Sequence, residues 1–437
     1  MRTFALKLRR TQDQNRQNAI HICAMADGVR RGITPSQLDA LQTGVRGELL
    51  GVEDRLRTWT DREKPRRRRV QKLRAKCGGS SAIGEHGELT YLYGQALRTR
   101  RDMFRQMGDT LAWIVLGGNP RVIRPLFAPR SHHINAGIGL VGPIEIMLAA
   151  HRTERFLVLD NDLTRCLGIG DITVVPANAP WRYPLSIEVK SSGEARAGAQ
   201  CELACAAVVT GDPLHRALHA DFTAAVGLEE RPLAPRLPTP TGQERELADR
   251  AQLLAQILSQ PHDPVAAKGR SWLSIRNTIH SASVRAVSYD VPERGVAYVV
   301  VRNWPGDAPL RALAEVLPRV QSDGFPKGLP HLTIDDLFRQ DELAALVPPI
   351  PLWPLPAADR AGLLAGQLFL GCIFSPMLWR DAFAAAGLRL DDSQSIWRIT
   401  GGRKASLLDQ LEVSKMRACV AFGGLSPREI AEALARE

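Results

Sequence analysis

Asp171, Glu188 and Lys190 lie in two short apolar segments of the chain. The first reads Gly168-Ile169-Gly170-Asp171-Ile172-Thr173-Val174-Val175, and the second Leu185-Ser186-Ile187-Glu188-Val189-Lys190. Their β-branched residues predict two strands, with Pro-, Asn- and Trp-rich turn chemistry between them. On a strand, residues two apart share a face. Glu188 and Lys190 are therefore expected to project together, and a hairpin partner would bring Asp171 beside them. Two carboxylates in that arrangement suit a hard divalent cation, Mg²⁺ or Mn²⁺, which takes its remaining ligands from water and substrate phosphate. Such a cation polarises a phosphoryl oxygen and makes a bound water more acidic. A neighbouring lysine can orient that water or stabilise charge that develops in the transition state.

The elements upstream are expected to position this set. Gly142-Pro143-Ile144-Glu145-Ile146-Met147-Leu148-Ala149-Ala150 reads as a helix start with Pro in its first turn. Arg155-Phe156-Leu157-Val158-Leu159 then reads as a strand. Helix, strand, strand, strand, with Asp171, Glu188 and Lys190 on the last two, resembles the PD-(D/E)xK nuclease superfamily, the fold of many restriction and repair nucleases. Asp171 matches the first acid, Glu188 the second and Lys190 the lysine; Gly170 stands where the family usually has proline. The resemblance covers residues 135–305. It implies an α/β fold: a restriction-endonuclease-like core, with a mixed central sheet flanked by helices. It also implies metal-dependent phosphodiester hydrolysis, with roles in restriction, repair or phage defence, as a homo-oligomer or beside a partner protein. Glu145 matches the acidic helix residue that joins the metal site in some members; otherwise it is a helix glutamate that reaches solvent. Val296 to Val301 is expected to close the core, with 210–290 as an insertion. Gly193 to Val209 follows, expected to be helical from about Ala199, with Gln200 at a position where some relatives carry glutamine.

Two other readings compete. Leu157-Val158-Leu159-Asp160-Asn161-Asp162-Leu163-Thr164 resembles the first motif of haloacid-dehalogenase-type phosphatases. There Asp160 would be the nucleophile and Asp162 the general acid/base. The plainer alternative is that Asp160 and Asp162 cap a strand end. A non-catalytic nuclease-like module that binds nucleic acid or scaffolds an assembly is the remaining alternative.

Charge points to a polyanionic partner. The 437 residues carry a net charge of +11, from 57 Lys+Arg against 46 Asp+Glu. Residues 1–110 hold 23 of the basic and 12 of the acidic residues, so the remaining 34 of each sign balance. The excess is densest at Lys64-Pro65-Arg66-Arg67-Arg68-Arg69-Val70-Gln71-Lys72-Leu73-Arg74-Ala75-Lys76. Arg66, Arg67, Arg68, Arg69, Lys72, Arg74 and Lys76 are the expected phosphate contacts to nucleic acid, with DNA the favoured partner. Such contacts give salt-sensitive affinity without sequence information; the plain alternative is a solvated helix face. Arg98, Arg100, Arg101 and Arg105 form a second basic group on an expected helix.

Length and punctuation divide the chain into a basic, mainly helical region at 1–120, the nuclease-like region at 121–310 and a mainly helical region at 311–437. Pro232, Pro235, Pro238 and Pro240 mark an exposed connection, followed by a helix from Gln243 to Gln260. Pro348, Pro349, Pro351, Pro354 and Pro356 mark a second boundary. Ser426-Pro427-Arg428-Glu429 reads as a capping box that opens a C-terminal helix. The seven cysteines are scattered and odd in number, which argues against zinc-finger chemistry and suits a reducing cytoplasm. Cys201 and Cys205, four apart, are expected on one helix face. Met1 to Arg10 lacks a secretory apolar core. Ala361 to Trp379 is uncharged but diluted by Gly, Ser and Pro, so a buried helix rather than a membrane span is expected there.

Overall fold

The computed structural model describes residues 2–77, 81–123, 126–127, 141–168, 171–178, 184–192, 202–207, 213–227, 270–282, 287–293, 296–302, 315–316, 318–320, 333–336, 348–374, 376–391, 398–400 and 431. Three long helices open the chain: α1 (Arg2–Val29), α2 (Pro35–Cys77) and α3 (Ser81–Val115). Gly32, at φ 146°, ends the first run. The second starts with a reciprocal cap. The Thr34 amide donates to Gln37 Oε1 at 3.1 Å, the Gln37 amide donates to Thr34 Oγ1 at 3.2 Å, and Pro35 follows the cap. Gly117 and Gly118, both left-handed, close α3; the Gly118 amide reaches back to the Trp113 carbonyl at 2.6 Å. Buried residues recur at helical spacing, such as Leu38, Val45, Leu49, Val52 and Trp59 on α2 and Leu97, Phe104, Met107 and Leu111 on α3, and these stripes pack on one another.

After a single turn, α4 (Pro120–Ile123), come α5 (Val141–Arg152), β1 (Phe156–Asp160), β2 (Ile172–Pro176), β3 (Leu185–Ser192), β4 (Glu202–Ala207) and α6 (Pro213–Ala225). The four strands form one meander in the order β1-β2-β3-β4, antiparallel at each pairing. Strand alternation gives it two apolar faces. Phe156, Val158, Ile172, Val174, Leu185 and Ile187 pack against Ile146, Met147 and Ala150 of α5 and Phe222 of α6. Leu157, Leu159 and Val175 face the other way, into the core built by α1–α3.

A second antiparallel sheet contributes to that same core. It contains β5 (Val287–Glu293), β6 (Val296–Arg302), β7 (Thr333–Asp336) and β8 (Leu368–Phe374), in the order β5-β6-β8-β7. Val296, Tyr298 and Val300 of β6, with Leu370 and Cys372 of β8, join the helical core; Ala297, Val299, Val301 and Ile373 form a smaller cluster on the reverse face with Val316 and Val320. Helices α7 (Arg270–Ser281) and α8 (Ala357–Leu364) flank this sheet, and α9 (Pro376–Ala385) packs on β9 (Arg389–Asp391), which pairs with β10 (Arg398–Thr400).

The chain is thus mixed α/β, mostly helical, with small antiparallel sheets. Several expectations change. β6 pairs with β5 and β8, so it does not close the first sheet. The mixed central sheet is replaced, among the described residues, by two four-stranded antiparallel sheets and one two-stranded one. Residues 202–207 are a strand rather than helix, because the edge of β3 supplies a partner for each of them. Ala361 to Trp379 is helix, strand and helix, and the C-terminal region carries sheet as well as helix. Among the described residues no helix is long and apolar enough to cross a membrane. Gln200, the Gln243–Gln260 segment and Ser426 to Glu429 lie outside the described residues.

Candidate functional site

Asp171 sits at the entrance to β2, where the chain bends before the ladder begins. Its carbonyl accepts from the Asn161 amide at 3.0 Å, which ties it to the end of β1. Its own amide donates at 2.8 Å to the carbonyl of Ile187, the residue bonded to Glu188. Asp171 is thereby pinned beside the Ile187–Glu188 peptide, and it is partly exposed. Glu188 and Lys190 occupy β3 opposite Ala206 and Ala204 of β4. By strand alternation, positions 188 and 190 belong to one face of the pleat, opposite the one that takes Ile187 into the α5/α6 cluster. The side chains of Glu188 and Lys190 lie outside the described set. Backbone hydrogen bonds that span β1, β2 and β3 thus hold the Asp171 backbone beside β3.

Glu145 is placed elsewhere. It is exposed on α5, and α5 packs by Ile146, Met147 and Ala150 on the Ile172/Ile187 face of the sheet, away from the face of positions 188 and 190. The solvent-facing reading of Glu145 is the one this position matches.

The connection from β1 to Asp171 is held by a buried polar network that the sequence reading did not anticipate. Asp160, 3% exposed, caps a short 3-10 turn (Asn161–Leu163) by accepting from the Asp162 amide at 3.0 Å, and it pairs with the Arg46 guanidinium of α2. Arg105 of α3 donates to the Asp162 carbonyl and lies 3.5 Å from Glu53 of α2. Asp109, fully buried on α3, accepts from the Arg165 amide at 2.6 Å, the Cys166 amide at 3.0 Å and Arg165 Nε at 2.8 Å. Thr173 Oγ1 donates to Asn161 Oδ1 at 2.9 Å, which joins the turn to β2. Burial lowers the Arg46 and Arg105 pKa values, opposed by their acidic neighbours, and arginine remains charged regardless. Burial, reinforced by Asp109, pushes the Cys166 thiol well above its usual value, which makes it an inert core residue. Asp160 is thus a cap and an anchor, the plainer of the two readings of the Asp160–Thr164 motif. The available signal for this network was the seven-residue spacing of Arg46 and Glu53, which places both on one side of α2.

The basic groups separate. Arg100 is buried and bonds Gln14 at 2.7 Å and Glu48 at 2.6 Å; Arg105 is committed as above; Arg98 lies over Trp59, 5.3 Å from the ring centre; Arg101 pairs with Asp102 at 2.9 Å. This group builds the helical core and its rim. Arg66, Arg67, Arg68, Arg69, Lys72, Arg74 and Lys76 fall on the C-terminal part of α2, and their side chains are outside the described set.

Positions 171, 188 and 190 are those that the sequence reading assigned to a Mg²⁺-type cation. Among the described residues no three His, Cys, Asp or Glu side chains group so as to hold a metal ion; Glu188 is not among those described. Comparison of the chain with protein-family models, curated proteins and solved structures finds no match.

Proposed function

We propose that the chain is a metal-dependent nuclease that hydrolyses phosphodiester bonds, with DNA as the favoured substrate. The observation that carries this reading is the hydrogen bond from the Asp171 amide to the Ile187 carbonyl, which sets the first acid against the strand that carries Glu188 and Lys190. The helix–strand–strand–strand order from α5 to β3 supports it as well. Asp171 and Glu188 would hold Mg²⁺ or Mn²⁺, and the bound ion would supply Lewis-acid polarisation of the phosphate and a more acidic water. Lys190 would position the attacking water and donate to the phosphoryl oxygen that gains charge. Arg46, Arg105 and Asp109 would act as positioning residues, by fixing the turn that ends at Asp171.

Asp171→Ala and Lys190→Ala should each lower cleavage of duplex DNA with Mg²⁺ or Mn²⁺ by at least about 10²-fold, the scale of losing one transition-state stabilising group. DNA affinity should stay within about threefold, because phosphate contacts elsewhere supply it. Cleavage that survives both substitutions would remove the assignment. Wild-type protein that binds DNA but cuts neither duplex nor single strand with either ion would leave the non-catalytic module as the reading.

A further inference from the structure

We propose that the C-terminal stretch of α2 is a basic arm that engages duplex nucleic acid only when it extends about one helical turn beyond the Asp171 end of the first sheet. This deepens the phosphodiester reading of that site and rests on it.

α2 is anchored on the first sheet through its N-terminal half: Gln42 Nε2 donates to the Val158 carbonyl at 2.9 Å, the Asp160 amide donates to Gln42 Oε1 at 2.7 Å, and Arg46 pairs with Asp160. Among the described residues its last core residue is Trp59, and there α3 crosses closely. A methyl group at Gly94 would meet the Trp59 ring at 2.4 Å. α2 continues beyond this crossing to Cys77. The 18 residues past Trp59 extend about 27 Å at 1.5 Å per residue.

The charge lies on this extension. From Lys64 to Lys76 there are eight Lys or Arg and no Asp or Glu. The eight fall within about 18 Å of helix, roughly one positive charge per 2.3 Å. Duplex DNA carries one negative charge per about 1.7 Å of axis, and a single strand about one per 3.4 Å. The line density on α2 is closer to that of a duplex than to that of one strand. The spacing then sets a length. Arg46 touches Asp160, whose neighbour Asn161 bonds Asp171. Arg66 is 20 residues further along the helix and Lys76 is 30, about 30 Å and 45 Å if it runs straight. Pro65 removes one helical hydrogen bond and favours a bend, so the larger figure is an upper bound. At about 3.4 Å per base pair this is roughly 9 to 13 base pairs.

The test uses the full chain carrying Asp171→Asn, so that binding is read without cleavage, with blunt DNA duplexes of about 6, 12, 18 and 24 base pairs chosen to bracket that length. Affinity should step up between the 6- and 18-base-pair duplexes and then level. Adding Arg66→Gln, Arg67→Gln, Arg68→Gln and Arg69→Gln should weaken the two longer duplexes, leave the shortest unchanged and reduce the salt slope by up to about 3.6. Affinity that rises smoothly with length, an equal loss on the 6-base-pair duplex, or equal affinity for a polyglutamate of matched charge would overturn the proposal. The length series needs no substitution in the arm, so a misfolded arm variant would not block it. The same duplexes given to wild-type protein with Mg²⁺ separate the two readings. A binding step without cleavage keeps the arm and removes the nuclease, whereas cleavage with no step does the reverse.

Discussion

Gly108 shows how one missing side chain fixes the candidate site. It lies in the interior of α3, where alanine would ordinarily be favoured by up to about 1 kcal/mol. A Cβ there would stand 2.1 Å from the Leu163 carbonyl oxygen, which is backbone of the turn that leads to Asp171. The clash falls on main chain, so it cannot be relieved by a rotamer change. Gly108→Ala should therefore destabilise by about 1–3 kcal/mol despite the better helix propensity, the range expected for overpacking. A denaturant midpoint at or above wild type would show that the turn moves freely. Next to it, Asp109 satisfies two amides of the same turn and one guanidinium. At this scale the sequence was partly legible. The Asp171–Glu188–Lys190 spacing pointed to strands that do adjoin. Asp160 and Asp162 carried two readings because an Asp-x-Asp at a strand end suits a nucleophile and a cap equally; the choice lay with Arg46, more than a hundred residues away, which local pattern does not expose.

Among the elements, β1 is an edge strand whose outer backbone groups are taken up by side chains. Gln42 bonds the Val158 carbonyl and the Asp160 amide, as a neighbouring strand would, and His151 Nε2 accepts from the Val158 amide at 3.0 Å. Exposed edges invite foreign pairing, and this edge is covered. His151 can accept only while Nε2 is unprotonated, and its Nδ1 is 3.6 Å from Asp39. Burial lowers its folded pKa below the usual 6.5 or so, with Asp39 and the Val158 contact opposing. As pH falls through that usual value, the unfolded chain takes up the proton first. The contribution of neutral His151 is therefore complete above about pH 6.5 and declines below it. Wild type should lose stability from pH 7 to 5 more steeply than His151→Gln, which cannot titrate, when both are measured by denaturant unfolding at each pH. Parallel curves would show that His151 keeps its ordinary pKa. The elements that the sequence misassigned have a common cause. Glu202-Leu203-Ala204-Cys205-Ala206-Ala207 is rich in helix formers, yet it pairs with β3 because tertiary context overrides weak propensity. Position 205 alone did not discriminate, since a spacing of four returns to the same face in helix and in strand alike. The uncharged 361–379 run is cut by Gly366 at φ 68°, where the Gln367 amide bonds back to the Gly362 carbonyl at 2.8 Å and ends α8 before β8. That glycine was the readable signal.

For the whole molecule, one continuous core cluster joins the three long helices to both four-stranded sheets. Leu157 and Leu159 of the first sheet and Tyr298, Val300 and Leu370 of the second belong to one continuous cluster with α1–α3. A change in the second sheet therefore acts on the element that also anchors the Asp171 turn, since Gln42, Arg46, Arg105 and Asp109 project from α2 and α3. Leu370 is fully buried in β8, on the side facing that helical core. Leu370→Ala removes apolar contact and leaves a cavity, a loss of about 2–5 kcal/mol for such substitutions. If the helices transmit that loss, amide exchange should accelerate at Val158 and Asp160 of β1 as well as at Val299 and Val300 of β6, and by similar factors. Units with separate cores would behave differently, with faster exchange confined to the second sheet and β1 protected as in wild type. Hydrogen exchange resolved to these peptides distinguishes the outcomes, because protected amides in one cooperative unit share the same opening free energy. The shared cluster makes coupled opening the expected result, and with it a site whose geometry depends on packing in a sheet that contributes none of its residues.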